Sequence, residues 1–366
     1  MTIGASAGIL DDPLRRTRDG SVAGPPGIPG LGHLLLALGL LACDGEATER
    51  DAAVTDAAAD RRDAAAVEDA STGDDAGPAG GWRDEPALPL PVQEIAVVAH
   101  GGRIWLAGGF EGGDIVPTVR VFDPADGSWS EGPALPAPRH HMSLVSHGGD
   151  LYALGGMQTL RFEPLDTAWV LRAGADGWEP IASLPRDRGA AAAGAVGDRI
   201  VLAGGNGRRG TLAAETLLYD PVADAWTLGA AIPTEREHLA AEPFEGELWV
   251  FGGRENSLST NRVEVEIYDP VADAWRDGPT MPTARGGFDV ALLDGAVYAV
   301  GGEEPARALD SVDRLELAAG TWSAAPPVPT PRHGHGVVAL AGRLWVIGGG
   351  DAPNFAPVDV VESYEP

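Results

Sequence analysis

Five arginines in register are the residues whose type and spacing most plainly suggest chemistry. Arg139, Arg188, Arg236, Arg285 and Arg332 each stand 16 residues before a Gly-Gly pair, with Val92 at the matching place of a sixth. Guanidinium groups can grip a carboxylate or phosphate through paired hydrogen bonds, so a ring of them could receive an acidic sugar, a phosphate or an acidic peptide. The same regularity fits a second role, in which each arginine pairs with a carboxylate or carbonyl of a neighbouring repeat and serves the architecture. All 26 basic residues are Arg and none is Lys, so the choice of Arg at these positions carries little information of its own.

Histidines follow the arginines closely: His140 and His141, His238, then His333 and His335. Glu237 and His238, beside Arg236, are the one candidate pair for moving a proton. No metal and no cofactor is expected, because the histidines come from repeats that are not neighbours and no supporting carboxylate pattern is evident.

The elements that must position these groups come from an internal repeat. Gly-Gly pairs begin at Gly108, Gly155, Gly204, Gly252, Gly301 and Gly348, and a tryptophan series, Trp82, Trp129, Trp178, Trp226, Trp275 and Trp322, keeps step with them. Each Gly-Gly closes a short apolar run such as Glu247-Leu-Trp-Val-Phe-Gly-Gly253, which reads as a buried strand. An aromatic or Leu seven residues before the Trp, often followed by Asp-Pro, gives a strand, a turn and a Trp-bearing strand; Tyr219 to Trp226 and Tyr268 to Trp275 are identical. The acidic residues of those turns, Asp220, Asp224, Asp269 and Asp273, have a complete explanation in turn chemistry and are not expected to bind calcium. A Pro-rich stretch and a small-residue apolar run supply a fourth strand.

These residues resemble the Kelch repeat over positions 82 to 366. The resemblance implies an all-β fold, a six-bladed Kelch-type β-propeller. Leu171 and Leu315 depart from the aromatic position, and Trp169-Val-Leu-Arg172 replaces Tyr-Asp-Pro in the second repeat, making its outer hairpin the least regular. Trp82 has no Gly-Gly before it, and the sixth Gly-Gly has no Trp after it, so an N-terminal strand around Trp82 is expected to complete the last blade and close the ring. The copper-radical oxidases with Kelch-like propellers need a Cys cross-linked to Tyr, and no cysteine falls within the repeats.

Between the repeats, the loops after the Gly-Gly pairs vary: Phe110 to Asp114, Asn206 to Arg209, Arg254 to Ser257, Glu303-Glu304 and Asp351 to Phe355. Variable loops on a uniform scaffold suit a recognition surface, and Arg254 and Asn256 join the five arginines as candidate binding residues.

The first 81 residues differ in kind, since all ten tryptophans lie at Trp82 or beyond. Leu31 to Ala42 is too short to span a bilayer but suits a signal-peptide core, and Leu40-Leu41-Ala42-Cys43 resembles a bacterial lipobox. That resemblance makes residues 1–43 a signal segment and Cys43, the one cysteine, a lipidated first residue of the mature chain. Residues 44–81 carry eleven acidic residues against three arginines and read as a disordered linker. A net charge of −28 argues against nucleic acid as a partner.

Two functions fit these features. One is a monomeric, non-catalytic binding module, lipid-anchored in the bacterial cell envelope and facing the periplasm or exterior, with a protein, peptide or anionic glycan as partner. The alternative is a sugar-modifying enzyme similar to a periplasmic Kelch sialic acid mutarotase, in which channel arginines would hold a carboxylate while Glu237 or His238 moves a proton. No acid, base and nucleophile set emerges, which favours the binding module. A channel in which Glu237 or His238 faces three arginines would favour the enzyme.

Overall fold

A computed structural model of the chain describes residues 81–366. The signal-like segment with Cys43, and the acidic linker through residue 80, lie outside the described residues.

The described residues form six four-stranded antiparallel sheets arranged as the blades of a propeller. The innermost strands, Ala96–His100, Ser143–His147, Ala192–Val196, Ala240–Phe244, Asp289–Leu293 and Gly336–Leu340, contact one another in a closed circle around the axis. The sixth blade runs Gly336–Leu340, Arg343–Ile347, Val361–Glu365 and then Gly81–Asp84, with Trp82 opposite Tyr364. The N-terminal strand therefore closes the ring, as the displaced tryptophan predicts. Blade two has the shortest outer strand, Glu179–Pro180, where the sequence lacks the Tyr-Asp-Pro turn.

The second strands read as continuous apolar runs because both of their faces are buried. Alternate side chains point to opposite faces of a strand. Thus Ile200 and Leu202 pack with Val145 and Tyr152 of blade two, whereas Val201 and Ala203 pack with Leu248 and Val250 of blade four. The core accordingly lies between blades, and each blade is held by its neighbours.

The Gly-Gly pairs make the joints between blades. Gly108 has φ +69°, and a Cβ there would come within 2.4 Å of the Arg139 carbonyl oxygen. Gly109 N–H donates to that same oxygen at 2.7 Å. The arrangement recurs at Gly155 and Gly156 with Arg188, and at Gly301 and Gly302 with Arg332. Glycine is required both for its conformation and for the close approach.

Candidate functional site

Where the strands enter the blades, the chain tightens into a ring around the axis. Two residues beyond each arginine position come Glu94, His141, Ala190, His238, Gly287 and Gly334, all with φ between +50° and +66°. Each donates its N–H to the carbonyl of its counterpart in the preceding blade, over 2.7 to 3.3 Å, and Glu94 to Gly334 completes the circle. Four of these positions carry side chains in a conformation that favours glycine, and such strain accumulates at functional sites. Three of the four, Glu94, His141 and His238, project chemistry into the constriction. Below it lies the channel, a space of about 560 Å³ that also reaches Glu242, Asp289 and His335. Above it opens a cup of about 330 Å³.

The cup is built from variable positions. Phe110, Phe162 and Phe355 form its aromatic wall, with Phe110 and Phe355 edge to face at 4.8 Å. Phe162 and Phe355 are exposed, whereas Phe110 is buried. Gln93 pins the loop bearing Phe355, donating to Asn354 O and accepting from Ala356 N–H, both at 2.8 Å. Asn256, on the rim, donates to Gly210 O across two loops at 3.3 Å. Charged groups make the floor: Arg254 donates to Glu237 at 3.0 Å and to Glu303 at 2.6 Å, and His333 Nε2 lies 3.6 Å from Glu303 and 3.7 Å from Glu94. Three carboxylates, Glu94, Glu237 and Glu303, thus stand against the single guanidinium of Arg254.

The imidazoles of the floor are tied to one another. His141 Nε2 lies 3.0 Å from a Glu94 oxygen and 2.9 Å from His238 Nε2. Nδ1 of His238 rests against Glu237, and Nδ1 of His141 against Nδ1 of His140. Burial and the Arg254 charge hold His238 well below its usual pKa. Burial likewise pulls His140 down to about 3. For Glu94 burial acts upward, but His141, His333 and His238 outweigh it and hold the carboxyl well below its usual range.

The five arginines are not at the channel mouth. All are at most 2 % exposed, and their side chains run into their own blades. Arg236 pairs with Glu266, Arg285 with Asp313 at 2.7 Å, and Arg332 with Glu362. Arg188 donates to Glu215 O at 3.0 Å, and Arg139 donates to Thr167 Oγ1 at 2.7 Å while stacking over Trp169. Burial lowers Arg332 to about 10, which leaves it charged at neutral pH. An arginine so enclosed cannot reach a ligand, and the anion-binding role expected for Arg139, Arg188, Arg236, Arg285 and Arg332 gives way to the architectural one. Glu237 and His238 face one guanidinium, that of Arg254, and not three. The turn aspartates are likewise structural, since Asp224 accepts from Tyr219 Oη at 2.7 Å and from Ala182 N–H of the preceding blade at 2.8 Å.

Comparison with known proteins agrees with this geometry. The Kelch motif matches residues 94–136, and the KLHDC2/KLHL20/DRC7 Kelch-repeats domain matches residues 182–350. The chain belongs to the Kelch-repeat β-propeller family. The solved structure of YjhT is similar to this Kelch propeller with a TM-score of 0.66 at 13 % identity, over 75 % of this chain and 95 % of that one. At that identity the likeness concerns the fold. No curated protein matches the chain.

Within the Kelch frame, two expected binding residues, Arg254 and Asn256, fall in the cup together with Phe110, Glu303 and Phe355 of the variable loops. His333, from the histidine series, joins them, as do Gln93, Glu94 and Phe162, which the sequence does not single out. The available signal was departure from the repeat at fixed offsets. The residue after each arginine position is bridged to the residue after each Gly-Gly, as in Gln93 with Phe110, Glu237 with Arg254, and Gly286 with Glu303. The pairs Gln93 with Phe110 and Glu237 with Arg254, and Glu303 and His333 from two others, line the cup, whereas His140 with Met157 and Gly189 with Asn206 do not.

Proposed function

We propose that this Kelch propeller is a receptor for a small, neutral, polyhydroxylated ligand of sugar size, held in the cup above the constriction. The observation that carries this reading is the union of three phenylalanines with a polar floor in a space of about 330 Å³. Aromatic faces pack against the C–H faces of a sugar ring, and a few fixed polar groups then select its hydroxyls. The excess of carboxylates over guanidinium on the floor disfavours an anion. The lipobox-like Leu40 to Cys43 supports an envelope location with a lipid on Cys43, and Cys43→Ser would then move the protein from the membrane to the soluble fraction.

Calorimetric titration of the protein with neutral and acidic mono- and disaccharides tests the ligand class. Binding of neutral sugars that Phe355→Ala or Asn256→Ala weakens at least tenfold is the expected result. Tight binding of acidic sugars alone, indifferent to both changes, would refute it.

A second reading, an enzyme similar to the Kelch sialic acid mutarotases, is favoured by one observation, the contact of Glu237 with His238 beside the cup. Such a pair can move a proton. Among the described residues the cup offers one guanidinium, that of Arg254, already paired with Glu237 and Glu303, so the binding reading stands first. Anomer exchange followed by NMR, abolished by Glu237→Gln, would reverse that order.

A further inference from the structure

Three potential ligand atoms from three blades meet at the constriction: Nε2 of His141, Nε2 of His238 and a carboxylate oxygen of Glu94. His140 Nε2 lies 3.2 Å from Thr159 O. His140 Nδ1 touches His141 Nδ1, which leaves Nε2 of His141 as the atom offered to the constriction. Nδ1 of His238 rests against Glu237, which leaves its Nε2 facing the constriction. His141 Nε2 and His238 Nε2 face each other at 2.9 Å, and a Glu94 oxygen stands 3.0 Å from the first of them. The surrounding floor, with three carboxylates against one guanidinium, also has negative charge to spare.

We propose that Glu94, His141 and His238 bind one divalent cation of the zinc class at the constriction. Their ligand atoms all lie within 4.8 Å of one another. Zinc bonds of about 2.0–2.1 Å in tetrahedral geometry require ligand atoms about 3.3 Å apart, so small outward shifts accommodate the ion. Two imidazoles and one carboxylate suit zinc, cobalt or nickel better than magnesium or calcium, which prefer oxygen ligands. Glu237 on His238 and His140 on His141 are the outer partners that fix ring orientation in metal sites. The blades involved are the first, second and fourth. Their separation is no obstacle, because the ring brings all six blades to the axis. Both the cup and the channel reach the three ligands, so a water or ligand oxygen can complete the coordination from either side. This site goes beyond the proposed ligand binding and does not depend on it.

The test uses the full chain, stripped with chelator and titrated with Zn²⁺ alone by calorimetry, and with Co²⁺ by visible absorption. The expected result is one Zn²⁺ per chain and a cobalt spectrum with the intense bands of four- or five-coordination. Glu94→Gln and His141→Ala should each abolish that site, and Glu237→Gln should weaken it about 10- to 100-fold. Circular dichroism of the metal-free variants checks that they fold. If wild-type protein gives no stoichiometric binding and no such cobalt bands, the proposal fails whatever the variants do. Binding that survives both Glu94→Gln and His141→Ala places the metal elsewhere and overturns it equally.

Discussion

The indole Nε1 of Trp82 donates to the carbonyl oxygen of Pro326 at 3.0 Å, joining the first described strand to the segment leaving blade five. The contact belongs to a sixfold series. Trp129 donates to Pro86, Trp178 to Pro133, Trp226 to Ala182, Trp275 to Ala230 and Trp322 to Pro279. Each acceptor lies four residues beyond the tryptophan of the preceding blade. Blade closure and blade stacking therefore use one device. Trp82→Phe, which keeps packing against Tyr364, should cost about 1 kcal/mol through the lost hydrogen bond, and Trp226→Phe should cost the same in urea unfolding. Removing the chain through Asp84 would instead bare the edge of Val361–Glu365 and should produce aggregation visible by size-exclusion chromatography.

The buried arginines predict a different pattern of losses. Arg332 is fully buried against Glu362. Removing one partner strands a charge in the sheet, so Arg332→Met or Glu362→Leu alone should cost about 3–5 kcal/mol. The double substitution should cost clearly less than the sum, because neither charge is then stranded. Denaturant unfolding of the three variants measures this coupling, and additive losses would mean that the pair is not the reason for the arginine series.

The contrast between these arginines and the cup shows what a single sequence can reveal. Gly108 with Arg139, or Trp82 with Pro326, recur because every blade needs the same joint, so architecture advertises itself as periodicity. The phase of Arg332 was therefore legible, but its direction was not. A fixed distance from Gly-Gly says which strand carries a residue, not whether its side chain turns toward the axis or into its own sheet. The constriction was hidden for the opposite reason. Glu94, His141 and His238 occupy one repeat position with Ala190, Gly287 and Gly334, and a site made of differences has no period. That histidines of blades two and four touch follows from the narrowness of the channel, a property of the closed ring and of no single repeat.

The channel predicts a pH dependence. Burial raises Asp289 to about 7 and, with repulsion from Asp289, raises Glu242 to about 8. Both folded values exceed the unfolded ones, so the native state holds protons that the unfolded chain releases. The contribution of these two groups is then largest in acid near the unfolded values and falls as pH rises from about 4 to about 8, by up to about 1.4 kcal/mol per pH unit for each group, while the depressed imidazoles of His140, His238 and His335 pull the other way up to the usual imidazole range. Asp289 and Glu242 are both only partly buried, so solvent screening makes the slope shallower. Asp289→Asn keeps an oxygen to accept from Val337 N–H, which Asp289 does at 2.8 Å, and removes the Asp289 share, so its stability relative to the parent should rise with pH up to about 7. Unfolding midpoints between pH 4 and pH 8 decide it, and equal slopes in both proteins would count against a protonated Asp289.

Strain in the backbone ring can be isolated at Ala190, which shares the left-handed conformation of Glu94, His141 and His238 but carries no functional group. Its φ is +50°, its N–H donates to His141 O at 2.8 Å, and its carbonyl accepts from His238 N–H at 2.9 Å. A Cβ in that conformation costs about 1–2 kcal/mol, and glycine removes the cost while giving up some unfolded-state restriction. Ala190→Gly should therefore stabilise the protein by about 1 kcal/mol, whereas Ala192→Gly, in the adjoining strand, should destabilise it by about the same amount. Two alanines two residues apart would thus respond with opposite sign in a thermal melt. If both lost stability, the ring would be unstrained. The expected opposite signs would mean that Glu94, His141 and His238 are held at a cost the fold bears elsewhere, as groups kept for what they bind are held.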